Sequence, residues 1–90
     1  MSAIAFEDAN HIIRRSIERE IGLLEMKKRL TDDEIKDLER RYGMDSTEFI
    51  KQFELGSLGD AQDWFEWWGL IRGRNVIEDE LRKARAVLST

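Results

Sequence analysis

Apolar residues recur at intervals of three and four along almost the whole chain, and no proline interrupts them. That spacing keeps side chains on one face of an α-helix, while strands need a period of two. Alternating runs rich in β-branched residues are missing, so the fold class expected is all-α. Ninety residues allow one domain, residues 1–90. A chain of that size buries a modest share of its surface and gains from association.

Turn signals divide the pattern into helices. The first is expected from about Phe6 to Leu30, with two apolar stripes. One stripe holds Phe6, Ile13, Ile17, Ile21 and Leu24; the other holds Ala5, Ile12, Leu23, Met26 and Leu30. The stripes lie about 120° apart at ~100° per residue, the pattern of a helix packed on two neighbours. Thr31-Asp32-Asp33-Glu34 reads as a capping box, so a second helix is expected from Thr31 to Tyr42, closed by Gly43. The competing reading is one unbroken helix from Phe6 to Tyr42, because Ile17, Ile21, Leu24, Thr31, Ile35, Leu38 and Tyr42 keep heptad spacing, interrupted by Lys28. Asp45 and Glu48 repeat the capping logic and open a short helix ending near Leu55. After a loop flanked by Gly56 and Gly59, Asp60 is expected to cap a last helix from Ala61 to about Leu88. The architecture expected is a long antiparallel helical hairpin or small bundle with one or two short central helices, dimerising through its helix faces.

Charge and composition narrow the function. Nineteen acids against fifteen bases make the net charge −4, a poor match for phosphate backbones, so nucleic acid is not the expected partner. The arginines at 14, 15, 19, 72, 74, 82 and 85 are interleaved with acids, as on a solvated, salt-bridged face. Nine acids and four bases fall between Thr31 and Asp60, an acidic segment suited to a basic partner. Without cysteine there is no disulfide, thiolate zinc site or thiol nucleophile. Neither a signal peptide nor a membrane-spanning apolar run is legible, so the compartment expected is the cytoplasm.

No chemistry beats its structural counterpart. The single histidine, His11, has only Asp8 on its helical face, too few groups for a metal site. One histidine and scattered serines draw no catalytic triad, and Gly56-Ser57-Leu58-Gly59 lacks a phosphate-loop lysine. Asp60, Asp63 and Glu66 recur every three residues, which as chemistry would be a carboxylate cluster for a divalent cation or acid–base work. As structure they are an N-cap, its reciprocal partner and an acid at the positive end of a helix dipole. No catalytic residue, cofactor or metal ligand is therefore expected.

The densest signal is aromatic. Trp64, Trp67, Trp68 and Ile71 share one sector of the last helix, and Phe65 widens it until the first two turns are apolar almost all round. Two readings stand: a core built of large rings, or a partner-binding face, since tryptophan dominates interface hot spots. On the second reading Trp64, Trp67, Trp68 and Ile71 anchor a protein partner while Asp60, Asp63 and Glu66 face its basic residues.

The central residues also carry a resemblance. Tyr42-Gly43-Met44-Asp45-Ser46-Thr47-Glu48-Phe49, then Gly56-x-x-Gly59-Asp60, then Asp63-Trp64-Phe65-Glu66-Trp67, resembles a group of small prokaryotic helical proteins often encoded beside a small toxin and treated as antitoxin-like. The resemblance covers about Leu38 to Ile71. It implies a non-enzymatic protein that binds and neutralises a partner toxin. The alternatives are a self-associating structural protein and, more remotely, a carboxylate metal-binding protein. The chain departs from the group's pattern at Trp68 and at Gly69 and Gly73. The first helix also lacks the DNA-binding pattern that autorepression, common among antitoxins, would call for.

Overall fold

The structure, a computed structural model, describes the backbone of residues 2–90 and the side chains of residues 7–90. Ala5 and Phe6, assigned above to the two stripes, lie outside the described side chains. Three helices follow one another: α1 (Ser2–Tyr42), α2 (Ser46–Glu54) and α3 (Gln62–Leu88), with no strand among the described residues. α1 sets the length of the molecule. Its 41 residues, at about 1.5 Å each, account for most of the 65 Å long axis, whereas the other axes measure 21 and 20 Å.

α1 and α3 run antiparallel. Arg41 pairs with Asp63 at 3.2 Å, Asp32 with Arg74 at 3.7 Å, Lys28 with Glu78 at 3.9 Å and Glu25 with Arg85 at 3.6 Å. Farther along, the Arg14 guanidinium donates to the Leu88 carbonyl at 2.9 Å, satisfying a free acceptor at the C-terminal end of α3. Ile13 occupies the α3-facing stripe yet is 56% exposed, because α1 continues past the end of α3.

The helix does not break at Thr31. The capping-box residues lie inside α1, and the unbroken reading is the one observed. Burial decides it. Leu24, Ile35 and Leu38 sit on the heptad stripe and are all buried. A cap is worth about 1 kcal/mol, whereas each buried aliphatic side chain contributes about 1.5–3 kcal/mol. A bend at Thr31 would turn one part of that stripe away from α3. Asp32 meanwhile serves as an ion-pair partner of Lys28, at 3.1 Å one turn earlier, and of Arg74 across the interface.

α1 ends as the sequence predicts. Gly43 has φ +63°, and the Met44 amide donates to the Glu39 carbonyl, closing the left-handed motif that stops a helix. A side chain at Gly43 would meet no neighbour, so the glycine is required by its backbone conformation alone. Asp45 then caps α2, accepting from the Glu48 amide at 2.9 Å. Asp45→Ala is expected to lower stability by about 1 kcal/mol in urea denaturation, the usual cost of deleting a side-chain cap. The start of α3 differs from expectation. Ala61, in extended conformation, is its N-cap with no side-chain hydrogen bond, and Asp60 lies one residue outside it, exposed. Asp63 therefore falls at the second helical position and is free to bond elsewhere.

The core lies at the closed end of the hairpin, where all three helices meet. Ile35 and Leu38 of α1, Phe49 of α2, and Trp67 and Ile71 of α3 form it. Leu24 and Leu81 are buried farther along the α1–α3 contact.

Candidate partner-binding site

The aromatic sector divides, because successive helical residues point about 100° apart. Trp67 is fully buried and stacks on Phe49, ring centroids 4.0 Å apart and planes within 2°. Its indole N–H donates to the Ser46 hydroxyl at 3.0 Å. The same hydroxyl and the Ser46 amide donate to one oxygen of Glu39, at 2.9 and 2.8 Å. One polar chain thus ties α3 to α2 and α2 to α1, leaving the buried indole N–H satisfied. Ile71 is 4% exposed and belongs to the same core. Neither Trp67 nor Ile71 is a surface anchor: both are buried in the core they form with Ile35 and Leu38 of α1 and Phe49 of α2.

Trp64 is half-buried. Its N–H donates to the Leu58 carbonyl at 3.0 Å, and its ring lies 4.5 Å from that of Tyr42. It seals the loop between α2 and α3 against the end of α1. Asp63 helps close the same corner, accepting from the Tyr42 hydroxyl and, at 3.2 Å, from Arg41.

That corner is pH-sensitive. The Tyr42 hydrogen bond holds the Asp63 carboxyl below its ordinary 3.8, with Arg41 assisting and desolvation opposing. The same bond, with desolvation, raises the Tyr42 hydroxyl above 10.0. For Asp63 the folded value is the lower one, so its contribution is present above pH 3.8 and lost as pH falls through the folded value. For Tyr42 the folded value is the higher one, so its contribution is full below pH 10.0 and lost as pH rises through the folded value. The stability difference between wild type and Tyr42→Phe is therefore expected to be flat near neutrality and to shrink at both extremes. Urea midpoints across pH would show it; a constant gap would contradict the linkage.

The remaining residues of the sector are accessible. Trp68 is half-buried, with Phe53 at 6.0 Å on one side and the Arg72 guanidinium 4.7 Å over its ring. Phe65 is 54% exposed and meets Phe53 edge-on at 5.5 Å, and Leu55 is 76% exposed at the end of α2. Asp60 and Glu66 are exposed, Glu66 beside the groove between α1 and α3, and neither enters an ion pair among the described residues. Asp60, Asp63 and Glu66 do not form a cluster: no group of three His, Cys, Asp or Glu suited to a metal occurs among the described residues.

Glu39, Ser46 and Phe49 were not singled out as a network in the sequence. Ser46 sits inside a capping motif, and only the docking of α2 brings it under Trp67. Phe53 is likewise not legible in the sequence as a neighbour of Trp68. No helix among the described residues is long and apolar enough to cross a membrane. The chain matches no known protein-family model, no curated protein and no solved structure.

Proposed function

We propose that the chain is a non-enzymatic protein–protein interaction module, antitoxin-like, that captures a protein partner on the accessible aromatic patch of α3. The observation that carries this reading is the group of Phe65, Trp68 and Arg72, gathered around Phe53 and left accessible on α3. Tryptophan and arginine are the residue types most enriched at binding hot spots, and exposed apolar side chains of this size gain most from a partner. Asp60 and Glu66 are exposed on the same stretch of chain, Glu66 beside the groove between α1 and α3, and suit basic residues on the partner, a toxin in the antitoxin-like reading.

The residues that carry the resemblance also have structural roles. Gly43, Gly56 and Gly59 all take positive φ, Tyr42 bonds to Asp63, and Phe49 stacks on Trp67. In this reading the resemblance marks the corner where the three helices meet. Partner recognition is assigned to Phe65, Trp68 and Arg72, of which Phe65 alone lies within the shared pattern.

The test is co-expression with the product of the adjacent gene, followed by pull-down. Trp68→Ala and Phe65→Ala are each expected to cut retention at least about tenfold, the effect of losing a hot-spot residue. Far-UV circular dichroism checks that both remain folded. Undiminished capture by the folded variants would refute the patch as the anchor. If wild type captures nothing, the self-associating structural reading gains. Self-association is itself part of the proposal: a face of α1 that α3 does not cover supports a homodimer.

A further inference from the structure

The second stripe of α1 has no cover within the chain. Ile12, Leu23, Met26 and Leu30 are 58, 49, 45 and 58% exposed. At ~100° per residue they fall within a sector about 60° wide, well round from the stripe that meets α3. The two long edges of the hairpin also differ. Along its middle, the ion pairs joining α1 to α3 involve Glu25, Lys28, Asp32, Arg74, Glu78 and Arg85, all on one edge. The opposite edge has a shallow groove where Thr31 and Glu34 of α1 face Gly69, Leu70 and Gly73 of α3. The exposed stripe borders that groove.

Charge identifies the occupant. On the N-terminal side of Leu23–Leu30 the stripe carries Arg19; on the C-terminal side it carries Asp33 and Glu34. All three are exposed, and none enters an ion pair among the described residues. The stripe therefore has an apolar centre, a basic flank and an acidic flank, which is self-complementary when two copies run antiparallel. A parallel arrangement would set Arg19 against Arg19 and acids against acids, which is destabilising.

We propose that two copies of the chain pair through this stripe, α1 against α1 antiparallel, about a twofold axis passing near Met26 and Lys27. Leu23 then packs beside the partner's Leu30, Met26 meets the partner's Met26, and Arg19 faces the partner's Glu34. The axis makes the contact isologous, so every pair occurs twice. This inference rests on the self-association reading above and adds to it the face, the direction and the register. It leaves the aromatic patch free for a different partner.

The chain contains no cysteine, so single cysteines report the register directly. Met26→Cys lies at the axis and is expected to form an intermolecular disulfide under mild oxidation. Ile12→Cys is on the same stripe but about 40 Å from its twofold mate at 1.5 Å per residue, far beyond disulfide reach, and is expected to stay free. Both positions are exposed, so both variants are expected to fold. Sedimentation is expected to show a dimer for wild type. Arg19→Glu should weaken it roughly threefold to tenfold through two symmetry-related surface pairs, and Glu34→Arg in the same chain should restore it. A monomer at high micromolar concentration would overturn both the register and the self-association reading. A dimer in which Met26→Cys stays reduced, in which Ile12→Cys cross-links as readily, or in which the double reversal fails to recover would overturn the register alone.

Discussion

Trp67→Ala is expected to cost about 3–5 kcal/mol, as large-to-small substitution of a buried aromatic does. Total stability for a chain of 90 residues is on the order of 5–13 kcal/mol, so this one change would leave the fold marginal. The residue is fully buried, its ring lies flat on Phe49 at 4.0 Å, and its N–H feeds the hydroxyl that joins α2 to Glu39. Its removal opens a cavity where three helices meet and deletes one link of the polar chain. The neighbouring Trp68→Ala is expected to cost only about 1 kcal/mol, since the ring is half-buried and its contacts are with Phe53 and Arg72 at the surface. Urea denaturation followed by far-UV circular dichroism, which does not depend on the deleted fluorophore, compares the two. Equal losses would mean that Trp67 is not the centre of the core.

The second large effect is expected at Asp33. A helix starting at Thr31 would tolerate proline in its first turn, where backbone amides lack helical partners. Inside an unbroken α1, proline at residue 33 removes the amide hydrogen bond to the carbonyl of Arg29 and its ring clashes there, costing about 3 kcal/mol or more. Asp33 is exposed, so no packing is lost with its side chain. Asp33→Ala is expected to be nearly neutral or slightly stabilising through its helix propensity. Thermal or urea unfolding of the pair separates backbone from side chain. A proline variant as stable as the alanine variant would argue that the chain does start a helix there.

Thr31 and Asp60 show why local signals failed where they did. Both have good capping chemistry, and neither caps. A cap is a local preference worth about 1 kcal/mol, and it yields when a continuous stripe can be buried instead. At Thr31 the burial of Ile35 and Leu38 beside Leu24 outweighs it. At Asp60 the structure starts the helix one residue later, and Asp63 is taken by Tyr42 and Arg41. Asp45 and Gly43 do cap as their local chemistry predicts, because at those positions the local signal and the tertiary turn agree.

The candidate site was legible as a region but not residue by residue. Helical spacing places Trp64, Trp67 and Trp68 on one broad sector, but the side of it that α2 covers follows from contacts across the chain. Phe49 selects Trp67 for burial; Phe53 and Arg72 leave Trp68 at the rim. Phe65, which only widened the sector in the sequence, becomes one of its more exposed members.

By itself the sequence determined the helical class, the termini at Gly43, Asp45 and Leu88, and the two stripes of α1, because each depends on dihedral preference or on spacing along one helix. The tertiary structure decided that α1 is continuous, that Trp67 is core, and that one stripe meets α3 while the other stays open. Those outcomes depend on where a second helix docks. Burial against a neighbour is worth several kcal/mol when summed over a stripe, more than the local preferences that oppose it.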